Sequence, residues 1–238
     1  MTVAEMHYRF KIGLDKVDSL SSPNFIAEEI DILLNDAQDQ FIAQRAFRNN
    51  FKREGLEETQ KRLDDLKNIT ANYRASALTN NLENKPNGAF VDLPANYRHA
   101  IQEEAEVSYP DCTDTTIQNI ADVIPTSHDR YNRLKKDPFN EPNEENIFRL
   151  GYEVNNGVER FELIAPANTT IDTYVLRYIR IPRVIQLGSE YQIPLPDQDC
   201  ELSEHTHREI VALAVKNALE EIESPRYQTS KIELKDIE

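Results

Sequence analysis

The stretch Ile147-Phe-Arg-Leu-Gly-Tyr-Glu-Val-Asn-Asn-Gly-Val-Glu-Arg-Phe-Glu-Leu-Ile164 decides the fold class of this chain. Apolar residues alternate with polar ones on both sides of Asn155-Asn-Gly157. Asn-Gly tolerates the positive φ of a tight hairpin turn, so the stretch reads as two antiparallel strands, Ile147 to Glu153 and Val158 to Ile164. After Pro166-Ala-Asn168 comes a third run, Thr170 to Ile181, rich in β-branched and aromatic residues. An antiparallel sheet of three or more strands is therefore expected in the middle of the chain.

Helical spacing surrounds this sheet. Met6, Phe10, Leu14 and Val17 recur every three to four residues and mark one face of a first helix ending in Ser19-Leu-Ser-Ser-Pro-Asn24. A second helix follows to about Ala46, with Glu28-Glu29 in its first turn and a stripe of Ile26, Ile30, Leu33, Leu34, Ala37 and Phe41. Beyond the polar connection Arg48 to Gly55, Leu56, Leu63, Leu66 and Ile69 mark a third, in which Glu57 and Glu58 precede Lys61 and Arg62 by four residues in the favourable order. Residues 1–75 are thus read as a helical part, and residues 76–238 as a mixed α/β part joined to it in one structural unit.

Within the second part Asn72 to Gly88 is polar, and Ala89-Phe-Val-Asp-Leu-Pro94 is a short strand stopped by proline. Ala95 to Val107, carrying Tyr97, Ile101 and Ala105, reads as a helix or helical turn. Thr115 to Ile124 fits a strand pair or a helix, with strand preferred, and Ser127 to Lys136 reads as a short basic helix closed by Asp137-Pro-Phe-Asn-Glu-Pro142. The last helix spans Leu202 to Ile222, with Ser203 as N-cap and Glu204 near the positive end of the helix. Its run Ile210-Val-Ala-Leu-Ala-Val215 is apolar round most of the circumference, the mark of a helix buried on several sides. The expected class is α+β: an N-terminal helical bundle, a central antiparallel sheet and a buried C-terminal helix.

Composition narrows the function. The chain has 238 residues, a hydrophobic fraction of 39% and a mean hydropathy of -0.64. That modest apolar content suits an extended protomer, or one that completes itself against neighbours. The formal net charge of -15, from 42 acidic and 27 basic residues, argues against a sequence-reading DNA binder, which needs clustered cations for phosphates. It does not exclude DNA as a neighbour, since a negative bore repels a passing duplex and prevents sticking. Cys112 and Cys200 stand far apart without a CxxC partner and read as reduced thiols. The N-terminus shows no apolar signal region, and no run reaches the roughly 18 apolar residues of a membrane span, so an aqueous compartment and no membrane partner are expected.

No catalytic, cofactor or metal motif emerges. The six glycines, at 13, 55, 88, 151, 157 and 188, begin no GxGxxG, GxxxxGK or GxSxG pattern. His205 and His207 in Glu204-His-Thr-His207 are two apart, about 200° round a helix, and so diverge. Asp197-Gln-Asp-Cys-Glu201 has the first ligands of a calcium loop, but Leu202 occupies the position where its turn requires glycine. Two features suit subunit contacts instead. Arg177, Arg180 and Arg183 punctuate one strand, with Arg180 on the opposite face from the other two, and arginines in an acidic chain invite carboxylate partners. Pro225, Arg226, Tyr227 and Gln228 open a tail that cannot continue the helix and is available to lie on a neighbour.

The block Tyr174-Val-Leu-Arg-Tyr-Ile-Arg-Ile-Pro182, with Leu202-Ser-Glu-His-Thr-His-Arg-Glu-Ile-Val211 and Glu223-Ser-Pro-Arg-Tyr-Gln228, resembles the C-terminal part of a structural protein of crAss-like, Bacteroides-infecting tailed phages. Phe25 to Phe47, Glu57 to Leu66, Asp92-Leu-Pro-Ala-Asn-Tyr97 and Asp137 to Pro142 extend the likeness over most of the chain, while Thr113 to Ser127 matches nothing in it. That family is similar to head-tail connector and adaptor rings of short-tailed phages and, more loosely, to tail tubular protein A. The resemblance implies a homo-oligomeric, typically twelve-fold ring in the virion neck or tail, made in the host bacterial cytoplasm. It would bind the portal protein and other neck and tail rings, and surround double-stranded DNA during genome ejection without sequence-specific binding. Other roles left open are head decoration, tail-fibre attachment and, more remotely, a virion-associated hydrolase.

Overall fold

The computed structural model describes residues 1–15, 25–47, 56–80, 87–110, 115–137, 139–155 and 157–222. Among them are five α-helices: α1 (Val3–Asp15), α2 (Ala27–Ala46), α3 (Gln60–Leu66), α4 (His128–Leu134) and α5 (His207–Glu221). The strands are β1 (Thr70–Ala75), β2 (Thr79–Asn80), β3 (Gly88–Asp92), β4 (Tyr97–Pro110), β5 (Thr116–Thr126), β6 (Asn146–Asn155), β7 (Val158–Ile164) and β8 (Thr170–Arg180). The chain is α+β and divides into two units, a helical one from residues 1–69 with the segment from Pro182 onward, and a sheet from Thr70–Ile181.

In the helical unit most of the apolar positions read from sequence face inward, while Ile26 and Leu63 are exposed. Met6, Phe10 and Leu14 of α1, and Ile30, Leu33, Leu34, Ala37 and Phe41 of α2, are all buried. Helix α5 packs against both and buries Ile210, Val211, Leu213, Ala214, Ala218 and Leu219. The approach of α1 to α5 is close enough that a Cβ built on Gly13 would lie 2.8 Å from Cγ2 of Val215, so glycine is needed there for space. The third helical stretch is broken: a 3₁₀ turn at Leu56–Glu58 precedes extended Thr59, then α3, then a second 3₁₀ turn at Lys67–Ile69. Chain continuity from residue 15 to 25 and from 47 to 56, including Val17, lies outside the described residues.

The sheet unit has the strand order β1-β8-β4-β5-β6-β7-β3-β2. All neighbours pair antiparallel except β5 and β6, which run parallel from Asp122↔Asn146 to Thr126↔Leu150, so the sheet is mixed and not the purely antiparallel one expected. The parallel pair needs a crossover, which α4 begins. Ser127 caps α4 by accepting from the Arg130 amide at 3.3 Å, and Tyr131 stands edge-on to Phe148, shielding it. The Asn-Gly hairpin joins β6 to β7, with Asn155 opposite Val158 and Gly157 at φ +84°. The sheet curls on itself: Tyr73 Oη of β1 donates to the Asp92 carbonyl of β3 at 3.0 Å. Inside lie Val91, Leu93, Ala105, Val107, Ala121 and Val123, among others, with Tyr97 edge-on to Phe161 at 5.7 Å.

One sequence assignment is overturned. Residues 95–107 are not a helix: Ala95 and Asn96 form a turn, and from Tyr97 the chain belongs to β4, a 14-residue strand. The physical reason lies in its bulges, with register shifts at Tyr97/His99, Ala100/Gln102 and Glu106/Val107. Each bulge adds a residue, so the inward positions Tyr97, Ala100, Glu103, Ala105 and Val107 begin with spacings of three and only later settle to two. That initial spacing imitates a helix. Strand β1 also escaped the sequence reading, because Asn72 and Arg74 face outward on a strand that pairs on one side with β8.

Candidate assembly surface

The helical unit carries a polar stripe where a core is expected. Asp31, Asn35 and Gln38 succeed one another along one face of α2, and Asp31 and Gln38 are only 3% and 2% exposed. They hold an irregular segment by its backbone. Asp31 Oδ2 accepts from the Leu187 amide at 2.9 Å and from Tyr191 Oη at 2.6 Å, while its Oδ1 lies 2.7 Å from His7 Nε2. Asn35 donates to the Ile185 carbonyl and accepts from the Ile185 amide, both at 2.8 Å. Gln38 donates to the Arg183 carbonyl at 3.2 Å and accepts from Cys200 Sγ at 3.3 Å. Buried backbone polar groups require partners, and a helix side chain supplies them where no sheet does. Burial pushes the Cys200 thiol up to about 11.

The residues of the calcium-like run turn away from a common centre. Asp197 accepts from the Ser189 amide at 2.9 Å, Asp199 from the Val3 amide at 2.6 Å, and Glu201 from the Arg183 amide at 3.3 Å. His205 and His207 diverge as well: His205 Nε2 lies 2.7 Å from Asp65 Oδ1, and His207 Nε2 lies 3.0 Å from the Leu202 carbonyl. Among the described residues no three His, Cys, Asp or Glu side chains gather as metal ligands.

Behind His205 sits a buried ionic group. Arg45, 2% exposed, donates through Nε to Asp65 Oδ2 at 2.8 Å and through a terminal nitrogen to Glu209 Oε2 at 2.6 Å. Lys61 reaches Glu209 at 3.5 Å, and Arg62 donates to the Gln44 carbonyl at 2.9 Å. The group joins α2, α3 and α5, elements far apart in sequence.

The sheet unit has its own buried ion pair. Glu103 on β4 meets Arg149 on β6, with Nε 2.8 Å from Oε2, and accepts from Tyr174 Oη of β8 at 2.8 Å. The Arg149 guanidinium also lies 4.1 Å from the Phe161 ring centre. Desolvation holds the Glu103 carboxyl above its ordinary value of 4.5, against the opposing pull of Arg149. Folded Glu103 thus keeps its proton to higher pH than unfolded Glu103, and from that group alone stability falls as pH rises from about 4.5 through the raised value. Urea unfolding of wild type and Glu103→Gln across acidic pH should show this component in wild type and not in the variant. Parallel pH profiles would contradict it.

The arginines read as interface candidates are not brought together in one cluster. Arg177 is exposed on β8 and donates to Asn72 Oδ1 of β1 at 3.3 Å, and Arg180, half-buried, stands opposite Tyr97 at the end of β8. Arg183 belongs to the helical unit, exposed, with its Nε 3.9 Å from Glu201. Pro225, Arg226, Tyr227 and Gln228 lie outside the described residues. Two surface features had no sequence signal of their own. One is Phe139, 96% exposed. The other is an open cleft of about 760 Å³ in the helical unit, whose lining includes Arg9, Lys67, Asn68, His205 and Arg208.

In the helical unit buried polar side chains pin backbone segments, and in both units they join elements distant in sequence. The chain belongs to the phage tail ring protein 3/4 family, whose model matches residues 1–230. It is 28% identical over 234 residues to ring protein 4/5 of Bacteroides phage crAss001, covering 92% of each chain. It is 27% identical over 217 residues to ring protein 3 of the same phage, covering 83% of this chain and 87% of the relative. The chain is thus a crAss-like phage ring protein, with a structural role in the tail.

Proposed function

We propose that this chain forms a closed homo-oligomeric ring of twelve copies in the virion neck, a head-to-tail connector below the portal that surrounds the DNA exit channel. The observation that carries this reading is membership, over nearly the whole chain, of a phage tail ring family. A ring closes when each copy presents two different surfaces related by one rotation. The helical bundle of α1, α2 and α5, the arginines Arg177, Arg180 and Arg183, and the tail Pro225 to Gln228 supply contacts with neighbouring copies and with the portal and adjacent rings. The net charge of -15 suits a bore through which duplex DNA slides without sticking. The protein acts by packing and not by turnover, and is made in the host bacterial cytoplasm before joining the particle.

Truncation after Glu223 tests the contact assigned to the tail. Native mass spectrometry and negative-stain images at high protein concentration, with portal supplied as a template, should show ring assembly weakened while the protomer's thermal unfolding is nearly unchanged. Assembly equal to wild type would remove the tail from the interface. Label scattered over the capsid rather than at the unique vertex would favour a decoration role and reject the connector.

A further inference from the structure

Between α4 and β6 the sheet unit carries an acidic loop with an apolar tip, held from both sides. Asp137 accepts from the Phe139 amide at 3.1 Å and from Asn140 Nδ2 at 2.7 Å. Asn143 Oδ1 accepts from the amides of Glu145 and Asn146 at 3.0 and 2.8 Å. Strand β5 anchors the far end: Asn119 Nδ2 donates to the Glu144 carbonyl at 3.1 Å, and the Asp122 amide to the Glu145 carbonyl at 2.7 Å. These bonds leave Phe139, Glu141, Glu144 and Glu145 exposed to solvent. Phe139 is the most exposed large apolar side chain among the described residues. A phenyl ring held out in this way, on a loop whose ordering cost is already met, is prepared for a partner.

The helical unit holds the complement. Its open cleft of about 760 Å³ is lined by Arg9, Lys67, His205 and Arg208 together with Glu5 and Glu204. Glu5 pairs with Arg9 at 3.0 Å and Glu204 with the N-terminal amine at 3.1 Å, so the cations left for a partner are Lys67 and Arg208. Lys67 and Arg208 are exposed and make no ion pair with another described residue. The volume is of the size that receives a short peptide loop. An arginine guanidinium stacks on a phenyl face, and lysine and arginine attract carboxylates.

We propose that the Phe139–Glu145 loop of one copy docks in the Arg9–Lys67–Arg208 cleft of the next copy, with Phe139 against Arg208 and the loop glutamates facing the cations. The occupant is a second copy because both halves of the complementary pair lie on this one chain, one on each unit. Such a pair is the donor and acceptor surface that a heterologous ring requires. It also offsets, at the contact, the repulsion between copies that each carry -15. The inference rests on the ring reading and names its interface.

The test uses full-length protein with Lys67→Glu/Arg208→Glu in the cleft and Glu144→Lys/Glu145→Lys in the loop, all exposed positions, with folding checked by circular dichroism. Sedimentation should show self-association weakened at least roughly tenfold by either pair, since like charges then face each other. Mixing the two variants, or combining all four substitutions in one chain, should restore it. A photo-crosslinking benzoylphenylalanine at position 139 should join to a peptide containing Arg208. Association unchanged in the variants, no rescue on mixing, or a crosslink that is absent or maps outside the cleft would overturn the docking. A ring seen in the particle neck alongside any of those results would leave the ring reading standing. Rescue and crosslinking without a ring in the particle would keep the contact and reject the ring.

Discussion

Arg45→Met is expected to lower the stability of the helical unit by about 3–5 kcal/mol, the range for removing one partner of a buried ionic group. Arg45 is the cation shared by Asp65 and Glu209, at 2.8 and 2.6 Å, and Asp65 is fully buried. Without it Asp65 keeps the His205 ring at 2.7 Å, and Glu209 keeps the more distant Lys61. Methionine fills much of the volume over the Phe41 ring, which Arg45 covers at 4.8 Å, so the loss is electrostatic rather than a cavity. Denaturant unfolding combined with hydrogen exchange at α2 and α5 amides reads the effect where it arises. Exposed Arg183→Met serves as control, with a change within about 0.5 kcal/mol. A loss at Arg45 no larger than the control's would mean the ionic group is not what joins α2, α3 and α5.

Arg149→Met should cost the sheet unit a similar amount, about 3–5 kcal/mol, because Glu103 would then be left charged in the curled sheet's interior with Tyr174 as its neutral donor. The double variant Glu103→Gln/Arg149→Met is expected to recover most of that loss, since a neutral pair of similar volume removes both desolvated charges. The coupling between the two positions, measured as a double-mutant cycle by urea unfolding, is the quantity of interest. Additive losses would show that the pair acts independently and that the interior tolerates a lone carboxylate.

What sequence periodicity revealed, and what it hid, follows from how each element is held. Apolar spacing located α1 and α2 because each buries one broad face, and a run apolar round most of its circumference located α5. The Asn-Gly turn located β6 and β7 because Gly157 adopts positive φ. Strand β4 was misread where bulges lengthen the spacing of its inward residues to three. The polar stripe Asp31, Asn35 and Gln38 had no reading from sequence. It is the seat of the 183–191 segment, and no local pattern announces that a helix will satisfy a distant backbone. Arg45, Glu103 and Arg149 were equally silent, since their partners lie between 20 and 164 residues away. The family, by contrast, was legible in runs such as Tyr174 to Pro182 and Leu202 to Val211, which carry lineage and encode no chemistry of their own.

The ring proposed above places copies of this chain in one closed circle around the DNA path at the unique vertex. A localised map of the particle's neck by electron cryomicroscopy tests it most directly. The expected result is a coaxial ring between portal and tail into which twelve copies of the two units fit. A neck in which no ring accommodates this fold, with the protein found elsewhere in the particle, would contradict it.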